Sequence, residues 1–251
     1  NGVLHLTRDI FVPALDVVEM ARISGYSTLV SLVETAGLTE TLEGDGPFTI
    51  FAPNNLAFDG IVAPEDQAEL ADLLTYHVVP GDVRAGDLTD GQVLTTVQGE
   101  DITVSIDGTD VSIIDANGNA QTVSATDIVG SNGVIHGLEG VLLPASTIPE
   151  VAALYGLSGL VDAVTLAELG DALSGGSWTV FAPTNDVFET LPVDGEGNPV
   201  VVNPLLSDIL TYHVIDGEPI FAGDLTDGFV ATMFNGDEVT DFITYNTLLL
   251  Q

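Results

Sequence analysis

The stretch Phe48-Thr-Ile-Phe-Ala-Pro-Asn-Asn-Leu-Ala-Phe58 recurs 130 residues later as Trp178-Thr-Val-Phe-Ala-Pro-Thr-Asn-Asp-Val-Phe188. Two further motifs follow both copies in the same order. They are Leu74-Thr-Tyr-His-Val78, which recurs as Leu210-Thr-Tyr-His-Val214, and Ala85-Gly-Asp-Leu-Thr-Asp-Gly91, which recurs as Ala222-Gly-Asp-Leu-Thr-Asp-Gly228. A repeat at the spacing of an ordinary domain predicts two copies of one domain rather than one large core.

Another motif has its partner ahead of the first copy. Asn132-Gly-Val-Ile-His-Gly-Leu-Glu-Gly-Val-Leu-Leu-Pro144 closes the first copy, and Asn1-Gly-Val-Leu-His-Leu-Thr-Arg-Asp-Ile-Phe-Val-Pro13 matches it 131 residues earlier. Asn, Gly, Val, His and Pro coincide, and four more positions are apolar in both. We therefore interpret residues 1–13 as the closing segment of another repeat, residues 14–145 as a complete domain, and residues 146–251 as a second domain that lacks its closing segment.

Helices are predicted before strands within each copy. Apolar residues at helical spacing predict two short helices within residues 14–36, around Gly25, and the same pattern returns within residues 148–173, around Gly156. The other predicted elements of the first copy are a strand at 48–51, a helix at 64–76 and strands at 93–97, 102–106, 111–114, 122–128 and 134–143. Helices first and antiparallel strands later make each copy an α+β domain.

Composition excludes several classes of partner. The 38 Asp and Glu residues stand against three Arg (Arg8, Arg22 and Arg84) and no Lys, a formal net charge of −35. Such a chain cannot neutralise phosphates, so a nucleic-acid partner is excluded, and it has no basic segment for an anionic membrane. The most apolar stretch, residues 141–164, contains prolines and acidic residues and is not a bilayer span. The acidic side chains repel one another, and dissolved salt screens this repulsion. We therefore expect a marine or halophilic source.

These motifs, in this order, resemble the fasciclin-type domain. The matching parts are residues 179–188 with its first signature, Tyr76-His77 and Tyr212-His213 with its central tyrosine-histidine pair, and residues 132–144 with its second signature. The resemblance implies wedge-shaped β-sandwiches flanked by helices, arranged in series and located outside the cell or at its surface. It also implies a role in cell adhesion, matrix assembly or surface decoration, and a few members bind carotenoid pigments. Asn54-Asn55 departs from the family's Thr-Asn.

The polar residues of the motifs are the candidate interaction residues: Tyr76, His77, Tyr212, His213, Asn132 and His136. Both histidines of the tyrosine-histidine pairs are interpreted as packed at a helix-to-strand junction with backbone hydrogen bonds, the alternative being direct ligand contact. His5 and His136 are each expected to fix the Asn-Gly turn beside them. Asn55 and Asn185 are expected to cap the helices that follow them.

Neither catalysis nor a dedicated metal or cofactor site is predicted. No nucleophile elbow or related signature accompanies the four histidines, so the chain is predicted not to be an enzyme and no cofactor is expected. Residues 115–119 imitate the opening of a calcium loop, but Ala120 stands where Gly is needed and Thr126 where Glu is needed. A hairpin turn is the preferred interpretation of this segment.

Three functional hypotheses remain open. The first is an adhesion or surface and matrix structural protein that binds another protein, such as further fasciclin repeats or surface proteins, or a glycan. The second is a filament or sheath subunit, a homo-polymer in which the N-terminal strand of one chain completes the second domain of its neighbour. That candidate intermolecular strand comprises Asn1, Gly2, Val3, Leu4, His5, Ile10, Phe11, Val12 and Pro13. The third is a carrier of an apolar, carotenoid-like ligand.

Overall fold

The computed structural model divides the chain into two compact units. One unit ends at Ala145 and the other begins at Ser146. The structure describes residues 14–191, 204–217, 220 and 229–240. The candidate intermolecular strand of residues 1–13 and the second copy of the Ala-Gly-Asp-Leu-Thr-Asp-Gly motif lie outside these residues.

Aspartates cap two of the helices of the first unit. Asp16 Oδ1 accepts the backbone N–H groups of Val18 and Glu19, each at 2.9 Å, and Asp66 caps a later helix in the same way. The helices are α1 (Val17–Ile23), α2 (Ser27–Thr35), α3 (Thr39–Leu42) and α4 (Gln67–Thr75), with 3₁₀ helices at Asn55–Phe58 and Ala85–Asp87. The predicted pair of helices around Gly25 is confirmed.

Seven strands of the first unit form one mixed sheet. They are β1 (Phe48–Pro53), β2 (Val78–Pro80), β3 (Val93–Thr95), β4 (Asp101–Asp107), β5 (Asp110–Ile114), β6 (Ala120–Gly130) and β7 (Gly133–Leu138). Their order is β2-β1-β7-β6-β5-β4-β3, and every neighbouring pair is antiparallel except β1 and β7. The parallel pair runs from Phe48 opposite Gly133 to Pro53 opposite Leu138. Parallel strands need a long crossover connection, and here the chain from β2 to β6 provides it between β1 and β7.

Strand β6 bends the sheet back on itself. Its first residues pair with β5 and its last with β7, and the register shifts twice between Val123 and Ile128. At the far ends of the sheet, the N–H of Val97 donates to Val78 O at 2.7 Å. The segment that follows β3 therefore meets β2, which gives the folded sheet an interior of its own.

Two hydrophobic cores lie on opposite faces of β1. Ile50 and Ala52 pack with α1, α2 and α4, whereas Phe51 packs with residues inside the folded sheet. Successive side chains of a strand point to opposite faces, so the alternation of these three residues separates the two cores. The expected α+β class is confirmed.

The second unit repeats the helical half of this plan. Its elements are α5 (Ile148–Leu154), α6 (Ser158–Leu166), α7 (Gly170–Leu173), β8 (Trp178–Val180), α8 (Asn185–Glu189), α9 (Leu205–Thr211), β9 (Val214–Asp216), β10 (Val230–Thr232) and β11 (Glu238–Thr240). Strand β8 pairs with β9, and β10 pairs with β11, both antiparallel. Across the described parts of both units, every helix is too short or too polar to cross a bilayer.

Candidate functional site

Tyr76 ends helix α4 with its side chain wholly inside the folded sheet. Its hydroxyl donates to Asp101 O at 3.1 Å and accepts the N–H of Ala116 at 2.9 Å. Burial raises the pKa of Tyr76 to about 12, so the phenol stays protonated. The residue joins α4 to β4 and to the turn after β5, and no part of it is exposed.

His77 uses both ring nitrogens inside the first unit. Nδ1 donates to Leu73 O at 2.9 Å, and Nε2 accepts the N–H of Leu142 at 2.9 Å. This pair of bonds assigns the neutral tautomer with its proton on Nδ1. Because the ring is buried, its pKa falls to about 4. His77 therefore lies packed at the junction between α4 and β2 with hydrogen bonds to backbone, as its interpretation from the sequence described.

His136 carries the opposite tautomer. Its Nε2 donates to Val83 O at 2.8 Å, its Nδ1 accepts the N–H of Asp127 at 3.4 Å, and its ring stacks on Phe51 with centroids 5.6 Å apart. The expectation that His136 fixes the neighbouring Asn-Gly turn is therefore wrong. The His136 side chain leaves β7 on one face of the sheet. There its ring bonds to β6 and to the loop after β2 instead of to the turn.

Asn132 holds the turn between β6 and β7 against the helices. Its Oδ1 accepts the N–H of Val17 at 2.9 Å, and its Nδ2 donates to Leu42 O and Gly44 O, each at 2.8 Å. Val17 begins α1, Leu42 ends α3 and Gly44 lies just after α3, so these partners are 88 to 115 residues away in the sequence. The motif marked Asn132 as notable, but only the fold shows these partners.

Asn55 does not cap the helix that follows it. Its Nδ2 donates to Gly25 O at 2.9 Å, and its Oδ1 accepts the N–H of Thr28 at 3.0 Å. It therefore caps α2, which precedes it in the chain. The 3₁₀ helix that follows is capped by Asn54, whose Oδ1 accepts the N–H of Ala57 at 2.9 Å. Of the two adjacent asparagines, Asn54 thus caps the 3₁₀ helix and Asn55 caps α2.

Asn185 repeats the contacts of Asn55 in the second unit. Its Nδ2 donates to Gly156 O at 2.8 Å, and its Oδ1 accepts the N–H of Gly159 at 3.0 Å. The prediction that Asn185 caps the following helix is wrong for the same reason. In both units the Pro-x-Asn motif ties the strand to the turn between the first two helices.

The tyrosine-histidine pair of the second unit is much more exposed. Tyr212 is 40% exposed, whereas its counterpart in the first unit is fully buried. His213 Nδ1 donates to Ile209 O at 2.7 Å, the same bond as in the first unit. In the described part of the chain, no group donates to His213 Nε2.

Asp115 organises the hairpin between β5 and β6. Its Oδ1 accepts the N–H groups of Asn117 and Asn119, each at 2.9 Å, and its Oδ2 accepts the N–H of Leu143 at 3.2 Å. Burial raises the pKa of this carboxyl above its ordinary value. The preferred interpretation as a hairpin turn is confirmed by the antiparallel pairing of β5 and β6. Within the described ranges, no three His, Asp or Glu side chains are grouped to hold a metal ion.

Apolar cavities occupy equivalent places beneath the helices of the two units. The cavity of the first unit, about 20 Å³, lies between α1, α2 and the ring of His77. That of the second, about 10 Å³, lies between α5, α6 and His213. Such volumes hold about one water molecule, whereas ligand pockets measure roughly 300–1,000 Å³.

Comparison with known proteins gives consistent matches along the chain. The family model described as "Fasciclin domain" matches residues 24–144 and 155–250. "Transforming growth factor-beta-induced protein ig-h3" of Sus scrofa is 33% identical over 230 residues, which are 85% of this chain and 33% of that protein. "Periostin" of Homo sapiens is 30% identical over 233 residues, 89% of this chain and 26% of that protein.

A bacterial relative and a solved structure extend the comparison. "Protein sll1483" of Synechocystis sp. (strain ATCC 27184 / PCC 6803 / Kazusa) is 39% identical over 140 residues, 52% of this chain and 74% of that protein. A domain pair from "the Insect Cell Adhesion Molecule Fasciclin I" aligns over 88% of this chain and 84% of its own, with a TM-score of 0.44 and 16% identity. The chain spans about a third or less of the two animal relatives.

Proposed function

Because the chain belongs to the fasciclin-domain family, we propose that it is a non-enzymatic adhesion or matrix structural protein. Membership also gives it an extracellular or cell-surface localisation. Its two units would present binding faces to another protein or to a glycan. The partners of the longer relatives are not carried over, since this chain covers only part of them.

The observation that carries the proposal is the internal use of the motif side chains in the first unit. Tyr76, His77 and His136 are buried, and each of their ring or hydroxyl groups is hydrogen-bonded to backbone. A general base or nucleophile must reach a substrate within hydrogen-bond distance, and these groups do not reach the surface. In the first unit these motif side chains therefore support the fold, and binding is left to the outer surface.

A candidate binding face surrounds the contact between Asn55 and the turn after α1. Leu56 is 76% exposed and Ile23 is 63% exposed. Ile23 ends α1 two residues before Gly25, to which the Asn55 side chain donates, and Leu56 adjoins Asn55. The Asn55 hydrogen bond thus joins the two short segments that carry these exposed aliphatic side chains. Large side chains in a fixed position are suited to serve as anchors of a binding interface.

The charge of the chain limits the partner. With a net charge of −35, the surface repels sulfated or carboxylated polymers and attracts neutral or basic ones. We therefore propose a neutral glycan or a neutral-to-basic protein surface as the partner class.

Binding to an array of surface proteins and of uncharged and sulfated glycans tests this proposal. Leu56→Asp places a charge in the proposed face and should weaken binding at least tenfold. Val93→Asp is the matched control, because Val93 is an equally aliphatic exposed residue on β3, and it should bind as the unmodified chain does. Absence of binding to every uncharged or basic probe, or equal loss in both variants, would refute the proposal.

The apolar-ligand alternative has no support from the cavities. Each of the two cavities beneath the helices has room for about one water molecule, so a carotenoid-sized ligand would need another place. A pigment that copurifies with the chain would restore that alternative.

A further inference from the structure

The chain leaves the first unit through a segment without regular secondary structure. Strand β7 ends at Leu138, and residues 141–144 follow a bend and lead to Ala145, where this unit ends. Val141, Leu142 and Leu143 are nevertheless buried. We call residues 141–145 the exit segment. Its side chains belong to the core, although its backbone lies beyond the paired part of β7.

Two acceptor side chains bind the buried part of the exit segment. The N–H of Leu142 donates to His77 Nε2 at 2.9 Å. The N–H of the next residue, Leu143, donates to Asp115 Oδ2 at 3.2 Å. These acceptors come from the end of α4 and from the hairpin after β5, so the exit segment is fixed from two directions.

Two further side chains bind the outer part of the exit segment. Asn117 Nδ2 donates to Leu143 O at 3.2 Å and to Pro144 O at 2.9 Å. Glu100 Oε2 accepts the N–H of Ala145 at 2.7 Å. Bonds from side chains can open in one short segment while the backbone ladder of a sheet stays intact. The exit segment is therefore suited to local opening.

A second proton on the His77 ring is incompatible with its bond to the exit segment. Nδ1 donates to Leu73 O at 2.9 Å, so the lone pair on Nε2 is the place where the neutral ring takes up a proton. That proton would point at the N–H of Leu142, donor against donor, across 2.9 Å. The charged ring and the closed exit segment therefore exclude each other.

The surroundings of His77 are apolar on the side of the helices. The other residues that line the cavity beside its ring are apolar side chains of α1, α2, α3, α4, β1 and β2. Burial lowers the pKa of His77 from 6.5 to about 4. On the side of the exit segment, the titratable groups are Tyr76, which stays protonated, and the carboxylates of Asp115, Glu100 and Asp101. Two of these carboxylates bind the exit segment itself.

We propose that the exit segment is an acid-operated latch: a proton on His77 releases residues 141–145 from the first unit while the sheet of this unit stays folded. Release uncovers the ring, so water can solvate its positive charge. The freed residues supply up to about 17 Å of extended chain between the sheet and residue 146. The connection that leads out of the first unit is therefore short near neutral pH and longer in acid.

The direction of the pH dependence follows from the pKa of His77 in the two states. The pKa is about 4 in the closed state and returns toward 6.5 when the ring is exposed, so the released state binds the proton first. Release is therefore favoured as the pH falls from 6.5 to 4, by about tenfold per pH unit and about 300-fold in all. Asp115 acts in the opposite direction, because burial raises its pKa and a proton on this carboxyl favours the closed state.

Hydrogen exchange of the Leu142 amide in the full chain, followed by NMR, tests the latch. The protection factor is the intrinsic exchange rate divided by the observed rate, so it removes the pH dependence of the exchange chemistry. For Leu142 it should fall about tenfold per pH unit below pH 6.5. The control amide is Phe51, whose N–H donates to the backbone carbonyl of His77 at 2.9 Å. At pH 4.5 Leu142 should be protected at least about tenfold less than Phe51, and equal protection overturns the proposal.

Low concentrations of urea separate release of the exit segment from unfolding of the whole unit. A local opening exposes little surface, so urea below the unfolding transition should leave the exchange rate of Leu142 nearly unchanged. Exchange that requires unfolding of the sheet should accelerate with urea, as expected for Phe51. If the two amides respond to urea equally at pH 4.5, Leu142 exchanges through unfolding of the unit and the latch is wrong.

Variants assign the pH dependence to His77. His77→Gln should abolish the pH dependence of Leu142 protection, whereas His213→Gln, the same change in the second unit, should leave it intact. Asn117→Ala removes two bonds to the exit segment but no titrating group, so it should lower the protection of Leu142 about tenfold at every pH and keep the slope. A slope that persists in His77→Gln overturns the proposal. Equal protection of Leu142 at pH 6.5 and pH 4.5 in the natural chain does so as well, and that measurement needs no variant.

Discussion

The strand Phe48–Pro53 in the first unit and its repeat at residues 178–183 have nearly the same sequence but different surroundings. The first is covered on both edges and both faces, and its phenylalanine and alanine are fully buried. The second is paired on one edge among the described residues, and the equivalent alanine is exposed. The motif encodes the strand and its turn, while burial depends on a segment more than eighty residues away.

The largest effect should come from the contact that distinguishes the two strands. Gly133→Val would place its Cβ 2.0 Å from Phe48 O and should separate β7 from β1, with a loss of more than about 4 kcal/mol. Urea unfolding followed by circular dichroism measures this change. The transition of the second unit should not move.

Gly86→Val is the control for that substitution, because its site has open space. If Gly133→Val left the unfolding of the first unit unchanged, the parallel pairing of β1 and β7 would be incorrect.

The two histidines of the repeated Tyr-His motif should differ in their contribution to stability. His77→Ala removes a buried ring and leaves Leu73 O and the N–H of Leu142 without partners, so it should cost about 3 kcal/mol. His213→Ala removes one bond from a half-exposed ring and should cost about 1 kcal/mol or less. Denaturant titration measures both changes in unfolding free energy. Equal losses of unfolding free energy for the two variants would contradict the different burial of the two histidines.

Acid should destabilise the first unit through His77. Its pKa is lowered to about 4 in the folded state and is about 6.5 when unfolded, so the unfolded state binds the proton first. The stability that depends on the neutral ring is complete above pH 6.5 and decreases as the pH falls from 6.5 to 4, by up to about 3 kcal/mol.

The difference in unfolding free energy between the natural chain and His77→Gln, followed across this pH range, isolates that contribution. His213→Gln is the matched control. A difference that stays constant from pH 7 to pH 4 would show that protonation of His77 does not oppose folding.

The smallest effect should be equal in the two units. Asn55→Ala and Asn185→Ala each remove one donor and one acceptor from the same turn, so each should cost about 1 to 2 kcal/mol. Thermal unfolding of the two variants measures this. Equal shifts in the unfolding temperature would indicate that the helices of the two units are held in the same way. A much smaller shift for Asn185→Ala would show that the helices of the second unit depend less on this contact than those of the first.

Sequence reasoning predicted the elements better than the contacts of their polar residues. The helices around Gly25, the α+β class and the hairpin at Asp115 follow from local periodicity and turn chemistry, and the structure contains them. For Asn55, Asn185 and His136, the sequence predicts contacts with their neighbours along the chain. In the fold the partners of Asn55 and Asn185 lie 26 to 30 residues away, and His136 donates to Val83 O, 53 residues away.

The sequence by itself determined the repeat, the family and the acidic surface, because these are properties of residue order and composition. The tertiary structure alone decided the parallel pairing of β1 with β7, the two tautomers of His77 and His136, and the different burial of the two Tyr-His pairs. The physical reason is that a motif sets local backbone preference, whereas hydrogen-bond partners and cover come from distant segments that the folded chain brings together.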